Sequence, residues 1–361
     1  MAFLNSLFSA TVQAPEGLWE WLILTVFDFV VNYGWRVVLF TVCLKLLLSP
    51  LDIYQRYKAR KNERITRRIQ PQLEKLKKQY PDATEFQKKQ MELQKKEGYS
   101  MFSSCLPAIL TLVIFITLLT GLNNISAYMN FKEYKELYDV YNVSVTEYNT
   151  TLSDSEKANY ADETDYAQSK VYDAYQENKI RWLWVGNIWS ADVPWKSEVN
   201  DYDTFKTNIG EYGTNANKSG MTSEEVQLML TKYNVVMGKL LASENNKANG
   251  YLILPILSIL LSVATQWISM RQQKKSGQVV EGTTGASSMK MMMFIMPIMI
   301  GIFSLSYTAA FAIYLVFNYL VSLVITLCAS LILTFIDKRE EKIAKETVHK
   351  YGRPDPNDIN E

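Results

Sequence analysis

Few residues in this chain carry the chemistry of common enzyme sites. The one histidine, His349, excludes a catalytic histidine pair and a two-histidine metal motif, because both need a second imidazole. Cys43, Cys105 and Cys328 lie far apart inside apolar runs, which gives neither a disulfide framework nor a metal-ligand spacing. The chain contains no phosphate loop of the GxxxxGKS/T type. We therefore expect a protein that is not an enzyme and that needs no metal and no cofactor.

The most informative polar residue is Lys45, which lies near the middle of an apolar run. A lysine at the centre of a membrane helix costs about 2.5–3.5 kcal/mol on insertion scales, so such residues usually face a bundle interior or a water-filled cavity. The alternative is that the side chain reaches the interface along its aliphatic stem. Gln266, Asn318 and Tyr314 are further polar groups in apolar runs. Their ordinary use is hydrogen bonding between helices or to the backbone.

The composition looks average only because apolar and charged residues are segregated. The chain has 361 residues with 38 Lys+Arg and 37 Asp+Glu, and the net charge of +1 argues against a nucleic-acid-binding protein. An apolar share of 48% and a charged share of 21% would suit a soluble protein. Apolar runs of about 18 or more residues recur, however, and each is long enough to cross a bilayer as a helix. A soluble single domain is therefore not expected.

These runs predict an all-α polytopic membrane protein. We expect five transmembrane helices around a hydrophilic groove, with a cytoplasmic helical hairpin and an extracellular helical insertion. The predicted segments are an N-terminal segment with an interfacial amphipathic helix (1–29), the first span (30–51), a basic cytoplasmic hairpin (52–98), the second span (99–122), an acidic, tyrosine-rich extracellular insertion (123–250), the third span (251–270), a cytoplasmic loop (271–290), the fourth span (291–308), the fifth span (309–336) and a cytoplasmic tail (337–361).

The charges of the loops predict the orientation. Residues 52–98 hold 14 Lys+Arg and 7 Asp+Glu, residues 271–290 hold 4 and 1, and residues 123–250 hold 12 and 19. Short cationic loops stay on the cytoplasmic side. The N-terminus is then outside and the C-terminus inside.

The basic segment 52–98 has the pattern of two helices. Apolar residues recur every three or four positions on one face of the first helix, namely Ile65, Ile69, Leu73, Leu76 and Tyr80. Asp82 with Glu85 predicts the capped start of a second helix, whose inner face would hold Phe86, Met91 and Leu93. In the insertion, Thr222 with Glu225 predicts another capped helix that continues to Val236.

The dense positive charge of the hairpin has two interpretations. It is either a solvated positive-inside loop or a docking arm for ribosomal RNA or anionic lipid headgroups. Its length and helical pattern exceed what orientation requires, which favours docking. The candidate docking residues are Arg60, Lys61, Arg64, Arg67, Arg68, Lys77 and Lys78.

Five local motifs occur in order along the chain. They are Phe40–Leu51 with Lys45 ahead of Pro50, Ile69–Leu76, Ser104–Pro107, Trp182–Asp192 followed by Ile253–Leu257, and Met292–Met299 with Ala312–Asn318. In this order they resemble the YidC/Oxa/Alb family of membrane protein insertases, in its bacterial, Gram-positive type. The family position that matches Lys45 is usually arginine, which offers a planar five-donor fork that lysine lacks.

The resemblance implies an insertase and chaperone that inserts and helps fold client transmembrane segments without covalent chemistry. Its hydrophilic groove would be lined by Lys45, Gln266, Asn318 and Tyr314. The implied location is the bacterial cytoplasmic membrane. Partners would be nascent or newly made membrane proteins, with the ribosome, the Sec translocon and anionic lipids as further candidates, and an unknown partner of the insertion. Two alternatives remain: a transporter or channel that uses the intramembrane polar residues, and a structural assembly factor that acts through the extracellular cap.

Overall fold

The described residues form a predominantly helical structure. The computed structural model describes residues 12–99, 102–214, 216–244, 247–275, 295 and 297–351. Besides helices, these residues form two isolated β-bridges, Trp182–Val185 and Ser197–Ala248. The helices are α1 (Leu18–Trp21), continued by a π-helical turn (Leu22–Val26), α2 (Tyr33–Gln79), α3 (Ala83–Lys96), α4 (Phe102–Thr150), α5 (Asp154–Lys157), α6 (Glu163–Asn178), α7 (Tyr202–Ile209), α8 (Glu211–Thr214), α9 (Ala216–Ser219), α10 (Ser223–Val236), α11 (Gly238–Glu244), α12 (Ile253–Lys275), α13 (Pro297–Ser306) and α14 (Ala309–Tyr351).

Several of these helices have the length and composition of membrane helices. Three contain segments long and apolar enough to cross a bilayer: Tyr33–Lys58, Ile109–Thr150 and Ala309–Ile332. Two shorter apolar helices are Ile253–Ser269 and Pro297–Ser306. The all-α polytopic class is therefore confirmed, while the number of five spans stays a prediction. The predicted loop 271–290 and most of the methionine-rich run that follows it lie outside the described residues.

The chain forms two compact units. The first contains Met1–Cys43, Thr111–Ser262 and Phe294–Asn318, and the second contains Leu44–Leu110, Val263–Met293 and Tyr319–Glu361. The helices α2, α4, α12 and α14 each contribute residues to both units. Each unit is described separately below.

In the first unit, residues 181–192, here called the junction loop, contact the start of α2. The rings of Tyr33 and Trp189 meet edge-on with centroids 4.5 Å apart. A Cβ atom at Gly34 would collide with the Trp182 side chain, so this position needs glycine. Asn32 joins the two segments, because its Nδ2 donates to the Arg181 carbonyl at 2.9 Å. The junction loop therefore positions the first residues of α2.

The same loop supplies hydrogen-bond acceptors to the starts of two more apolar helices. The first backbone N–H groups of a helix have no partner inside that helix. At α12, the buried Asp192 carboxylate accepts from the Tyr251 N–H at 2.8 Å and from the Leu254 N–H at 2.7 Å. At α14, the Ala309 N–H donates to the Ser190 carbonyl at 2.8 Å, and the next N–H donates to the Ile188 carbonyl at 3.0 Å. The two helices thus start from one loop.

Buried amides fix the conformation of the junction loop. The Asn249 amide donates to the carbonyls of Asn187 and Ala191, at 2.9 and 2.8 Å, and accepts from the Asn187 N–H at 2.7 Å. Next to it, a Cβ atom at Gly250 would collide with the Asp192 carboxylate. Leu252 adopts a φ of +64°, and its N–H donates to the Asp192 carbonyl at 3.2 Å. Local strain at Leu252 is therefore held by bonds to the loop.

The rest of the first unit includes a helical cap with a tyrosine-rich core. The helix α6 packs against α10 and α11, and α10 also contacts α7. Phe205 and Tyr233 stack in this core with ring centroids 4.5 Å apart. The hydroxyls of the buried Tyr134 and Tyr233 donate to the carbonyls of Met229 and Asn200, at 2.5 and 2.7 Å. Tyrosine suits such a core because the ring packs while the hydroxyl finds a partner.

The start of α10 confirms the predicted capping pattern in the insertion. The Glu225 N–H donates to Thr222 Oγ1 at 3.2 Å, and the Thr222 N–H donates to Glu225 Oε2 at 2.6 Å. This reciprocal pair satisfies two donors at the helix start. The helix then continues to Val236 as predicted.

The N-terminal helix α1 has one packed side and one exposed apolar side. Glu20 is buried and accepts from the Asn124 amide of α4 at 2.9 Å. Trp19 Nε1 donates to Thr117 Oγ1 of the same helix at 3.0 Å. Leu18 and Trp21 of this helix are exposed, and so is Phe29, which follows the π-helical turn. Exposed aromatic side chains of this kind suit the headgroup level of a bilayer, and the interfacial placement of this segment stays a prediction.

In the second unit, α2 continues without interruption into the first arm of the basic hairpin. It contains both Pro50 and Pro71, whereas the sequence predicted a span that ends at residue 51 and a separate hairpin. The predicted apolar face of the arm is confirmed by Ile65 and Ile69, which are buried. The Asp82 side chain accepts from the Glu85 N–H at 3.0 Å and caps α3 as predicted.

The prediction that Met91 lies on the inner face of α3 is wrong. Phe86 and Leu93 are half-buried, but Met91 is 48% exposed. Met91 is five residues after Phe86, and a step of five rotates a helix by about 140° from the starting face. An ion pair of 2.7 Å between Arg68 and Glu97 joins α2 to the end of α3.

We expect Asp192→Ala to lower the stability of the first unit. The substitution removes the acceptors of a buried N–H group at Leu254 and of a part-buried one at Tyr251, which should cost about 3 kcal/mol. Asp192→Asn keeps one amide oxygen and should cost less. The measurement is thermal unfolding of the purified chain in lipid nanodiscs, with amide hydrogen exchange at residues 250–256.

The control is Asp173→Ala, which removes an exposed carboxylate from α6. Unchanged unfolding and unchanged exchange in Asp192→Ala would show that the start of α12 does not depend on this carboxylate.

Candidate functional site

Lys45 lies on the more buried side of α2. It belongs to the apolar segment Tyr33–Lys58 and is half-buried. The next residues, Leu46 and Leu47, are 57% and 76% exposed. Each residue advances a helix by about 100°, so these leucines point in other directions than the lysine. The helix thus has an exposed apolar side beside a side that carries a cation.

Two further charged residues share the face of α2 that carries Lys45. Asp52 and Arg56 follow it by seven and eleven residues, which is close to two and three full turns. Lys45 interacts electrostatically with both of them. Arg56 Nη2 donates to Thr326 Oγ1 of α14 at 2.6 Å, and Thr326 is fully buried. One face of α2 therefore carries charges of alternating sign: Lys45 is positive, Asp52 negative and Arg56 positive.

Sequence reasoning missed the carboxylate on this face. It ended the first span at residue 51 and did not relate Asp52 to Lys45. The continuous helix α2 places Asp52 on the same face as the lysine. The spacing of seven residues was available in the sequence, and only the assumed helix end concealed it.

Gln266 belongs to the second unit together with Lys45. It lies on α12, is half-buried and takes part in a polar interaction. The next residue, Trp267, is 49% exposed. The Arg271 guanidinium lies 3.6 Å from the centre of its indole ring. Such a cation–π contact suits the end of a membrane helix, where an aromatic body meets a charged group.

The other two predicted groove residues belong to the first unit. Tyr314 on α14 is 4% exposed, and its ring centroid lies 5.9 Å from that of Phe311. Asn318 follows one turn later and is half-buried. The two residues share one side of α14 because they are four positions apart. The complete set of Lys45, Gln266, Tyr314 and Asn318 stays a prediction.

The predicted docking residues lie along the hairpin arm of α2. Lys61, Arg64, Arg68, Lys77 and Lys78 are exposed. The side chains of Arg60 and Arg67 lie outside the described part of the chain. Arg68 forms an ion pair of 2.7 Å with Glu97, which joins the two arms of the hairpin.

Arg36 is a buried cation that sequence reasoning did not select. It is 8% exposed and forms an ion pair of 2.9 Å with Asp28. Its other donors reach the backbone carbonyls of Val30 and Asp28, at 3.1 and 3.3 Å. Local partners thus occupy this guanidinium, which fixes the chain segment before α2. The only signal in the sequence is an acidic and a basic residue that flank the start of one apolar run.

The polar residues of these sites offer charge and hydrogen bonding. The described residues contain no group of three or more His, Cys, Asp or Glu that could hold a metal ion. Cys43 and Cys328 carry free thiols. Ammonium, amide and hydroxyl groups beside exposed apolar helix surfaces are suited to hold a polar segment of a polypeptide close to lipid.

Comparison with known proteins identifies the family. A family model described as 60Kd inner membrane protein matches residues 25–334. A relative from Stenotrophomonas maltophilia, named membrane protein insertase YidC, is 39% identical over 114 residues, which are 31% of this chain and 19% of the relative. A relative of the same name from Thermotoga maritima is 37% identical over 92 residues, which are 25% of this chain and 20% of the relative.

The curated relatives therefore match over about a fifth of their own length. A third relative of that name, from Xanthomonas oryzae, is 35% identical over 114 residues, which are 31% of this chain and 19% of the relative. The family model, in contrast, covers most of the chain. The resemblance stated from the five motifs is confirmed, and this membrane protein belongs to the 60Kd inner membrane protein family, the family of the YidC insertases.

Proposed function

We propose that this chain is a membrane protein insertase that holds polar client segments in a cationic groove while their apolar helices enter lipid. The observation that carries the proposal is the half-buried Lys45 inside an apolar helix of a protein from this family. A cation at that depth costs about 2.5–3.5 kcal/mol, so its retention needs a compensating use.

The physical task is to lower the cost of moving polar groups through hydrocarbon. An unpaired polar group costs several kcal/mol in an apolar medium, and an ionised carboxylate costs far more. A wet groove that is open to the cytoplasm and to lipid shortens the apolar path. Lys45 would attract client carboxylates transiently, and Gln266, Asn318 and Tyr314 would exchange hydrogen bonds with client backbone and side chains.

Asp52 would limit how tightly the groove holds a client. It is a resident carboxylate on the face of Lys45, so a client carboxylate competes with it for the same ammonium group. Competition of this kind favours transient over tight binding, because the two carboxylates alternate as partners of one cation. An insertase needs that reversibility, since every client must leave.

The orientation and the docking role follow from the loop charges. We infer that the N-terminus and the acidic insertion are outside, and that the basic hairpin and the C-terminus are inside, because cationic loops remain in the cytoplasm. The exposed cations of the hairpin would receive ribosomes or anionic headgroups. The Sec translocon is a further possible partner.

Insertion into liposomes that contain only this chain would test the function directly. A small single-span client with an acidic translocated tail should become protease-protected at its tail. If the purified chain instead conducts a solute without protecting any client, the transporter or channel alternative replaces the insertase.

We expect Lys45→Glu to reduce insertion of an acidic-tailed client at least about tenfold, because the groove charge then repels the client. A difference of about 1.4 kcal/mol in the rate-limiting step is enough for that factor. Lys45→Ala should show an intermediate loss, and Lys45→Arg should retain activity. The measurement is the fraction of protected client after depletion of the native protein from cells.

The matched control is Leu47→Ala, two positions further on the exposed side of α2. If the Lys45→Glu variant protects the same fraction of client as the Leu47→Ala variant, the charge of the groove has no role in insertion.

We also expect the hairpin cations to contribute to docking. The combined substitution of Lys61, Lys77 and Lys78 by Gln should weaken binding to ribosomes or to vesicles with anionic lipid. The slope of log K against log salt should also become shallower, because fewer counterions are released. Co-sedimentation over a range of salt concentrations measures both quantities.

The control replaces the half-buried Lys132 and the exposed Lys170 and Lys206 by Gln. It removes the same charge from the insertion, on the other predicted side. Equal binding by the two triple variants would favour the simpler interpretation of the hairpin as a positive-inside loop.

A further inference from the structure

Large apolar side chains are exposed around the junction loop. Leu183 lies in this loop and Trp195 follows it, and they are 62% and 66% exposed. Trp35 at the start of α2 and Tyr251 just before α12 are exposed as well. We call these four residues the apolar patch. Exposed apolar side chains that lie together mark a surface that contacts another molecule or a membrane.

A tight turn presents Leu183 beside the start of α2. The Trp182 N–H donates to the Val185 carbonyl at 3.1 Å, and the Val185 N–H donates back to the Trp182 carbonyl at 2.9 Å. Leu183 is therefore at the tip of this turn. The ring of Trp182, at the base of the turn, meets that of Trp35 with centroids 5.6 Å apart. Leu183 and Trp35 thus belong to one part of the surface.

Backbone pairing places Trp195 next to Tyr251. The Asn249 N–H donates to the Lys196 carbonyl at 2.8 Å, within a pair of antiparallel segments. In antiparallel register, the residue before Lys196 is opposite the residue after Asn249. Trp195 therefore lies opposite Gly250, and Tyr251 is the next residue along the chain.

Trp184 connects the two halves of the apolar patch. It follows Leu183 in the turn, and its Nε1 donates to Asp192 Oδ2 at 3.4 Å. The other oxygen of this carboxylate accepts from the Tyr251 N–H at 2.8 Å. One carboxylate thus joins the turn of Leu183 to the segment of Tyr251, and the four exposed side chains surround a single loop.

Leu183 has a backbone conformation that leucine rarely adopts. Its φ is +51°, which lies in the left-handed region that glycine and asparagine enter at lower cost. In water, an exposed leucine side chain does nothing to compensate this strain. Transfer of the side chain from water to hydrocarbon is favourable and would offset it. The residue type therefore favours an apolar environment for the tip of the turn.

The neighbouring helices indicate that this environment is lipid. The apolar segments of α2 and α12 begin at Tyr33 and Ile253, directly beside the apolar patch. On α12, Ile256 and Leu260 are exposed and continue the apolar surface away from Tyr251. Tryptophan and tyrosine are enriched where membrane helices reach the lipid headgroups, because their rings are apolar and carry one polar group.

We propose that the junction loop is embedded in the headgroup region of the leaflet on the side of the acidic insertion, with Leu183, Trp195 and Tyr251 in contact with lipid. The partner is the lipid surface itself. Because the same loop positions the starts of α2, α12 and α14, this contact would hold three helix starts at one depth in the bilayer. The role is separate from that of the proposed groove, since no groove residue belongs to the apolar patch.

Spin labelling of the full chain in lipid nanodiscs tests the proposal. Cys43, Cys105 and Cys328 are first replaced by Ala, and a nitroxide is attached to Leu183→Cys or to Tyr251→Cys. Oxygen concentrates in hydrocarbon, whereas a polar nickel chelate stays in water. We expect the ratio of oxygen to nickel accessibility, measured by power saturation, to be at least about threefold higher at both positions than at a control position in the cap.

The matched control label is attached to Val143→Cys, another exposed apolar residue. Val143 lies about 30 Å along α4 from Leu122 at 1.5 Å per residue, and the charged Asp139 and Glu147 are one turn away on either side. Equal ratios at this position and at the two patch positions would overturn the proposal. Low accessibility of the patch labels to both reagents would overturn it as well, because a protein partner then covers the apolar patch.

A second variant separates the lipid contact from the strain of the turn. With the label at Tyr251→Cys, the substitutions Leu183→Gly and Trp195→Ser together should lower the ratio about twofold, although glycine relieves the strain in φ. Val143→Ser should leave the ratio unchanged. Hydrogen exchange at residues 187–192 verifies that each variant keeps the fold. An unchanged ratio in the folded double variant would show that these side chains do not hold the loop in lipid.

Discussion

The starts of apolar helices need hydrogen-bond acceptors, and the first unit is organised around that need. Each helix leaves its first N–H groups without internal partners, and inside or near a membrane water does not reliably replace them. The junction loop supplies the Asp192 carboxylate to α12 and two backbone carbonyls to α14. It also packs two tryptophans against the start of α2. One short loop therefore determines where three apolar helices begin.

The same requirement explains why the loop is polar inside. Asn187 and Asn249 are buried, and each amide has both donor and acceptor partners. A satisfied polar network holds a single conformation, because any shift leaves several groups unpaired. The loop can then act as a rigid template. Two exceptions among its described residues are the Ser190 hydroxyl and the Trp182 indole N–H, which are buried without a hydrogen-bond partner.

The buried Arg36 and the half-buried Lys45 and Arg56 of α2 differ in their partners. Arg36 is surrounded by local acceptors and fixes the entry to α2. Arg56 is bound to Thr326. Lys45 has charged neighbours along its helix, and a lysine ammonium is a compact point charge that can change partners more readily than a planar guanidinium. The groove cation that we propose, which would bind and release clients in turn, would use this property.

By itself, the sequence determined the class and the local signals. Apolar length indicated membrane helices, spacing indicated the hairpin face at Ile65 and Ile69, and the Asp82 and Thr222 patterns indicated helix starts, since all of these depend on neighbours within a few turns. The structure alone revealed that α2 continues past Pro50 and brings Asp52 onto the face of Lys45. It alone revealed that Asp192 caps a helix some 60 residues further along the chain, at Tyr251 and Leu254. Such pairings depend on contacts between distant segments, and no local pattern of residue types encodes which acceptor will reach which helix start.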